Sequence, residues 1–131
     1  MLLDTNAISA WAKGDMGLFR VLQGDRLWYL PSIGLGEFRF GVVKSHRRGE
    51  LEHWLEEIEP ICVVLSPDAT TARHCAIVRA ALEAARTPIP YHDIWIAALA
   101  LQHAMPVVTR DAHFGRISGL RRIGWVPEAA L

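Results

Sequence analysis

The chain is short of cysteine and lysine and carries no net charge, and each shortage removes a class of function. Cys62 and Cys75 lack CxxC spacing, and two cysteines make no disulfide framework. Buried thiols in a reducing cytoplasm are the expected state. A formal charge of zero gives no global sign of a nucleic-acid partner. Long apolar runs are missing too. The stretch from Ile94 to Val108 is broken by Gln102, His103 and Pro106, and is too short to span a bilayer. Asp4 interrupts the start and no basic segment precedes an apolar core, so no secretory leader is expected. Gly34-Leu35-Gly36-Glu37 lacks the third glycine of a dinucleotide fingerprint. The six histidines are scattered without metal-ligand spacing, and a zinc site from His74, Cys75 and His92 is not supported. No Ser/His/Asp set has supporting context.

What remains is an ordinary globular composition, 51% hydrophobic and 21% charged over 131 residues. That is one domain, 1–131, long enough for a sizeable core. Leu2-Leu3 is an apolar run too brief for a helix. Ala7 to Ala12 reads as a short helix stopped near Gly14, and Met16 to Leu22 as another ending at Gly24. Leu27 to Leu30 is a strand closed by Pro31, and Ser32 is placed to cap a helix running to Ser45 or Arg47. Gly49 to Glu59 forms a helix with Leu51, Trp54, Leu55 and Ile58 on one side, ended by Pro60. Ile61 to Leu65 is fully apolar, as in strands inside a parallel sheet. Ser66-Pro67-Asp68 starts a helix to about Arg86. Asp93 opens a helix that is hydrophobic all round through Leu101. Pro106 to Thr109 and Ile123 to Val126 close the list of strands. Strands separated by helices predict an α/β domain with a central parallel sheet flanked by helices on both faces.

Four acids stand out against this frame. Asp4 and Asp111 follow apolar strands and belong at the carboxyl edge of the sheet, where ligands of open α/β sheets collect. Asp93 stands at the start of the apolar helix. Glu37 has Ile33, Phe40 and Gly41 as helical neighbours, which puts a carboxylate on an apolar face. Taken singly, Asp4 and Asp93 are equally at home as helix caps, and Asp111 as a turn residue. If all four converge, like charges cannot stay ionised together without a cation. Oxygen donors without Cys or His suit Mg²⁺ or Mn²⁺, and such ions activate water and clamp a phosphodiester for in-line hydrolysis.

Met1-Leu2-Leu3-Asp4-Thr5-Asn6, Gly36-Glu37-Phe38-Arg39-Phe40-Gly41, Tyr91-His92-Asp93-Ile94-Trp95-Ile96-Ala97-Ala98 and Val108-Thr109-Arg110-Asp111-Ala112-His113-Phe114 follow one another in this order. Together they resemble the four acidic motifs of PIN-domain ribonucleases, and most nearly the VapC toxins of bacterial toxin–antitoxin pairs. The resemblance covers nearly the whole chain, including Gly119 to Trp125. It implies that Asp4, Glu37, Asp93 and Asp111 bind metal and activate water, with Asn6 and Thr109 supporting them by hydrogen bonds. It further implies Mg²⁺- or Mn²⁺-dependent RNA cleavage, a homodimer, and inhibition by a VapB-type antitoxin. His92 stands where the family varies, as either a solvated loop residue or a modulator of metal or RNA binding.

Charge distribution is compatible with an RNA substrate. Residues 61–131 carry seven cations, all arginine, against five acids. Arg86, Arg110 and Arg116 are candidate phosphate contacts, with Arg121 and Arg122 nearby, and each is equally a solvated surface residue. With four carboxylates neutralised by metal, fourteen cations would face ten acids. Trp28, Trp54, Trp95 and Trp125 are expected in the core or an interface, and Trp11 on a partner surface. Two rivals come from other classes. A phosphoacceptor receiver domain needs a lysine after a late strand, and the chain has only Lys13 and Lys44. A catalytically silent PIN-like module that binds RNA or a partner is disfavoured by acids at all four positions.

Overall fold

The computed structural model describes residues 1–128, so the last three residues of the expected domain lie outside the described residues. Its elements are β1 (Leu2–Leu3), α1 (Thr5–Ala12), α2 (Met16–Leu22), β2 (Tyr29–Pro31), α3 (Ser32–Val43), α4 (Arg48–Ile58), β3 (Val63–Leu65), α5 (Ala69–Ala84), α6 (Tyr91–Gln102), β4 (Val107–Val108) and β5 (Arg122–Ile123). Short 3₁₀ segments at Glu59–Ile61 and Ala112–Arg116 complete the set. The strands form one parallel sheet in the order β3-β2-β1-β4-β5. This is the expected α/β architecture in the expected element order.

The period-two alternation of strand side chains explains the two faces. Leu2 pairs with Val107 and Leu3 with Val108 in register across β1 and β4. Leu2 and Val107 pack with Cys75, Val78 and Leu82 of α5 and with Ile94 to Ala100 of α6. Leu3 and Val108 pack on the other face with Ile8 of α1, Leu18 of α2, Leu35 and Phe38 of α3, and Leu55 of α4. The four strand residues are completely buried. Helix α6 buries residues around most of its circumference, as its uninterrupted hydrophobicity requires.

Several local expectations are corrected. Strand β3 is an edge strand, not an internal one, with Val63 and Val64 38% and 44% exposed. An apolar run therefore marked a strand but not its depth. Pro31 ends β2 and serves as N-cap of α3, so Ser32 is the first helical residue and makes no cap. That helix stops at Val43. Helix α6 begins at Tyr91, which leaves Asp93 in its first turn and not at its cap. The buried stripe of α3 is Gly34, Leu35, Phe38 and Val42, while Phe40 is 64% exposed. Glu37 thus lies beside the core stripe, at its solvent margin. Both thiols are unpaired, Cys75 buried and Cys62 half-buried.

Trp11, Trp28, Trp54 and Phe38 stack edge to face in a chain with centroid separations of 5.5–5.8 Å. Trp11 is therefore tied into the helical layer as well as reaching its surface. The segment after β5 is anchored on α2. Asp15 caps that helix by accepting from the Gly17 and Leu18 amides, and also accepts from the Glu128 amide at 3.1 Å and the Trp125 indole at 3.4 Å. Gly17 is the point of closest approach: a Cβ there would lie 2.0 Å from the Val126 carbonyl oxygen. Alanine ordinarily gains about 1 kcal/mol over glycine inside a helix, whereas overpacking against backbone costs about 1–3 kcal/mol. We expect Gly17→Ala to lower the urea midpoint at unchanged m-value. A raised midpoint would refute this seating of residues 124–128.

Candidate metal centre at the carboxyl edge of the sheet

The sheet places the site. In the order β3-β2-β1-β4-β5 the chain leaves β1 toward β2 on one side and returns to β4 on the other. The crevice at the carboxyl ends of β1 and β4 is the topological switch point of an open α/β sheet. Asp4 follows β1 directly, and Thr109 and Asp111 follow β4.

Asp4 is 4% exposed, and its two oxygens face different partners. Oδ1 accepts from the Thr5 amide at 2.8 Å and so caps α1. Oδ2 accepts from the Thr109 hydroxyl at 2.8 Å and the Asn6 amide group at 3.2 Å. Thr109 and Asn6 then tie Asp4 to the loop after β4. The Thr109 hydroxyl oxygen accepts from the Asp111 amide at 2.9 Å and from Asn6 Nδ2 at 3.1 Å, and Asn6 Oδ1 accepts from the Arg110 amide at 3.1 Å. Asn6 and Thr109, the two residues expected to support a metal site by hydrogen bonds, both donate to Asp4 Oδ2. Asp111 caps the following 3₁₀ segment by accepting from the His113 amide at 2.9 Å.

Glu37 reaches the same edge from α3. Its Oε2 accepts from the Thr5 hydroxyl at 3.0 Å, and its Oε1 lies 3.1 Å from His92 Nε2. The same His92 nitrogen is 3.3 Å from Asp93 Oδ1. His92 is therefore no free loop residue, because it bridges the acids of α3 and α6. His113 approaches from the other side, with Nδ1 3.1 Å from Asp111 Oδ1 and 3.6 Å from Asp93 Oδ2. Sequence reasoning passed over His113. Its one available signal was a position two residues beyond an acid that ends a strand.

Electrostatics show what the cluster lacks. Burial pushes the Asp4 carboxyl up to about 6, hydrogen bonds from Thr109 and Thr5 oppose the rise, and the charges of Asp93 and Asp111 add to it. Asp93, 5% exposed, is raised by burial first and by Asp111 as well, against the pull of the two histidines. Carboxylates that burial and one another disfavour are the environment a divalent cation relieves, and a set of carboxylate oxygens is the donor type that Mg²⁺ and Mn²⁺ prefer. The residues present fit such an ion.

The expected arginines are placed unequally. The Arg110 guanidinium lies 6.0 Å from the Trp125 ring centroid. Arg116 donates to the Pro88 carbonyl at 3.3 Å, and Arg122 to the Asp111 carbonyl at 3.1 Å. Arg86 is exposed just past α5, in a left-handed conformation at φ 57°. No described hydrogen bond or ion pair joins Arg86, Arg110 or Arg116 to the four carboxylates.

The raised Asp4 value has a testable consequence for the metal-free protein. A carboxyl with a folded value near 6 and an ordinary value of 3.8 contributes stability that is fully present below 3.8. That contribution is lost as pH rises through 6. The interval corresponds to about 3 kcal/mol. In chelator-treated buffer, wild type should therefore lose stability relative to Asp4→Asn between pH 4 and pH 7. Parallel melting curves for the two proteins across that interval would contradict it.

Comparison with known proteins places this geometry in context. A family model described as the PIN domain matches residues 1–120. The VapC ribonuclease Y4jK of Sinorhizobium fredii is 32% identical over 138 residues, covering 97% of this chain and 99% of that protein. Ribonuclease VapC5 of Mycobacterium tuberculosis is 30% identical over 120 residues, 90% of this chain and 87% of the relative. Among solved structures, a chain of DNA-bound VapBC from Salmonella typhimurium superposes with a TM-score of 0.82 at 29% identity, covering 95% of this chain and 97% of that one.

Proposed function

Since the chain belongs to the PIN-domain family, we propose that it is a metal-dependent endoribonuclease and the toxin half of a type II toxin–antitoxin pair. The observation that carries this is the convergence of Asp4, Glu37, Asp93 and Asp111 at one sheet edge, linked through Thr109, Thr5 and the two histidines. Asp4, Asp93 and Asp111 would hold Mg²⁺ or Mn²⁺, with Glu37 completing the set. A cation there supplies Lewis acidity, neutralising phosphate charge and making water a better nucleophile. Glu37, oriented by the Thr5 hydroxyl and open to solvent on one side, is the carboxylate best set to take the proton of the attacking water. Arg110 would meet phosphates beside the site, and Arg116 and Arg86 would do so farther along the strand.

Relatives named as ribonucleases and solved VapBC complexes support RNA as substrate and a VapB-type antitoxin as partner. Exposed apolar side chains such as Phe40, Val43 and Ile77 offer an antitoxin or a second copy in a homodimer something to cover. No described helix is long and apolar enough to cross a membrane, and action on RNA in the cytoplasm belongs to the same proposal. A silent binding module would have no need of four converging acids.

The test is cleavage of total RNA by antitoxin-free protein with Mg²⁺ or Mn²⁺. Wild type should cut, chelator should stop it, and Asp4→Ala should lower the rate by about a thousandfold. Equal rates for the two proteins, or none from folded wild type, would sink the catalytic claim.

A further inference from the structure

His113 is not one of the four acids, yet it enters their cluster by its ring. The 3₁₀ segment Ala112–Arg116, capped by Asp111, turns the imidazole back over the acid that precedes it. Nδ1 then lies 3.1 Å from Asp111 Oδ1 and 3.6 Å from Asp93 Oδ2. One imidazole nitrogen of His113 and one carboxylate oxygen each from Asp93 and Asp111 fall within 4.8 Å of one another. The ring is partly exposed, but Nδ1 itself is buried and has no hydrogen-bond partner among the described residues. The nitrogen is thus in contact with a carboxylate oxygen without being aimed at it.

That combination has a specific geometric meaning. A hydrogen bond points the donor along the line joining the two heavy atoms. Two donors bound side by side to one octahedral ion, with bonds of about 2.1 Å, stand about 3.0 Å apart. Each then aims at the centre, roughly 45° off the line between them. The 3.1 Å separation and the missed direction fit the second arrangement. A nitrogen ligand also has chemical consequences. Imidazole suits transition ions, whereas Mg²⁺ favours oxygen and water.

We propose that His113 Nδ1 is a nitrogen ligand of the metal centre, making it a mixed oxygen–nitrogen site that selects Mn²⁺, Co²⁺ or Zn²⁺ over Mg²⁺. This rests on the metal-nuclease function above and narrows it to an ion class. His113 adds the one donor that distinguishes the ions, while the carboxylates supply the charge that holds any of them.

The test reads the ligand directly. Protein loaded with Mn²⁺ is examined by pulsed electron paramagnetic resonance for coupling to a directly bound ¹⁴N nucleus. Wild type should show it, ¹⁵N-histidine labelling should convert it to a ¹⁵N pattern, and His113→Gln should remove it while His92→Gln keeps it. Mn²⁺ affinity should fall about tenfold or more in His113→Gln, with Mg²⁺ affinity changed less than about threefold. The labelling arm needs no variant, so a poorly folded His113→Gln protein leaves the question decidable. Mn²⁺ bound without nitrogen coupling, as expected of a protonated His113 acting only as a counter-ion, overturns this assignment alone. Coupling that survives in His113→Gln does the same. Failure of wild type to bind Mn²⁺ at all overturns both the assignment and the metal-nuclease function.

Discussion

Asp93→Asn should lower RNA cleavage by about a thousandfold or more while raising the melting temperature of the metal-free protein. Asp93 is 5% exposed in the first turn of α6, whose N-cap is Pro90, so its carboxylate has no capping duty to explain its burial. Burial raises its pKa, and the neighbouring Asp111 charge raises it further. The compensation comes from two imidazoles: His92, one residue earlier in the same helix, meets one oxygen at 3.3 Å, and His113, from the 3₁₀ segment after β4, lies 3.6 Å from the other. An amide of the same shape removes the desolvated charge and the repulsion with Asp111, which is the stabilising half of the prediction. It also removes an anionic donor from the proposed metal site, which is the catalytic half. Single-turnover cleavage with Mn²⁺ and melting curves in chelator measure the two halves separately. Wild-type cleavage by the variant would exclude Asp93 from the metal site. Activity lost together with the fold would make it a structural residue instead. The opposed directions are what a functional charge predicts, since stability given up in the apo protein is recovered only on binding the ion.

The element order was legible because apolar runs alternate with helical patterns and are separated by Gly14, Gly24, Pro31, Pro60 and Pro106. Local composition says which segments extend and which coil, but it does not report neighbours. Val63-Val64-Leu65 is as apolar as Val107-Val108, yet one lies at the edge and the other beside β1. Only pairing across the sheet decides that. Asp4 and Asp111 were legible for a related reason: a strand that ends in an acid delivers it to the carboxyl edge whatever the strand order. Glu37 was placed by a mistaken step. Its supposed apolar face contains Phe40, which points to solvent, and the residue reaches the site because Thr5 and His92 hold it there. His113 was invisible at this level, since a 3₁₀ turn and not helical spacing folds its ring back over Asp111. The tie between Asn6, Thr109 and Asp4 spans more than a hundred residues of chain, and it was expected only from the family resemblance.

That tie carries the second large effect. Thr109→Val should weaken Mn²⁺ binding by about 10- to 100-fold, while Thr109→Ser should stay close to wild type. Thr109 is completely buried, and valine matches its shape, so packing is preserved. What goes is a hydroxyl with three partners: it donates to Asp4 Oδ2 at 2.8 Å and accepts from the Asp111 amide at 2.9 Å and Asn6 Nδ2 at 3.1 Å. Buried groups that lose a partner cost about 1–3 kcal/mol each, so a lower urea midpoint should accompany the loss of affinity. Stability alone does not show a positioning role, because any buried hydroxyl could produce it. The discriminating readout is Mn²⁺ affinity measured on folded protein well below the unfolding transition. There the hydroxyl acts by holding the Asp4 carboxylate and the Asp111 backbone in one geometry. Serine restores the oxygen and loses only a methyl group, so it should recover metal binding even where it does not recover the full midpoint. Valine binding Mn²⁺ as tightly as wild type would reduce Thr109 to a packing residue. Serine binding as weakly as valine would show that the methyl, not the hydroxyl, sets the site.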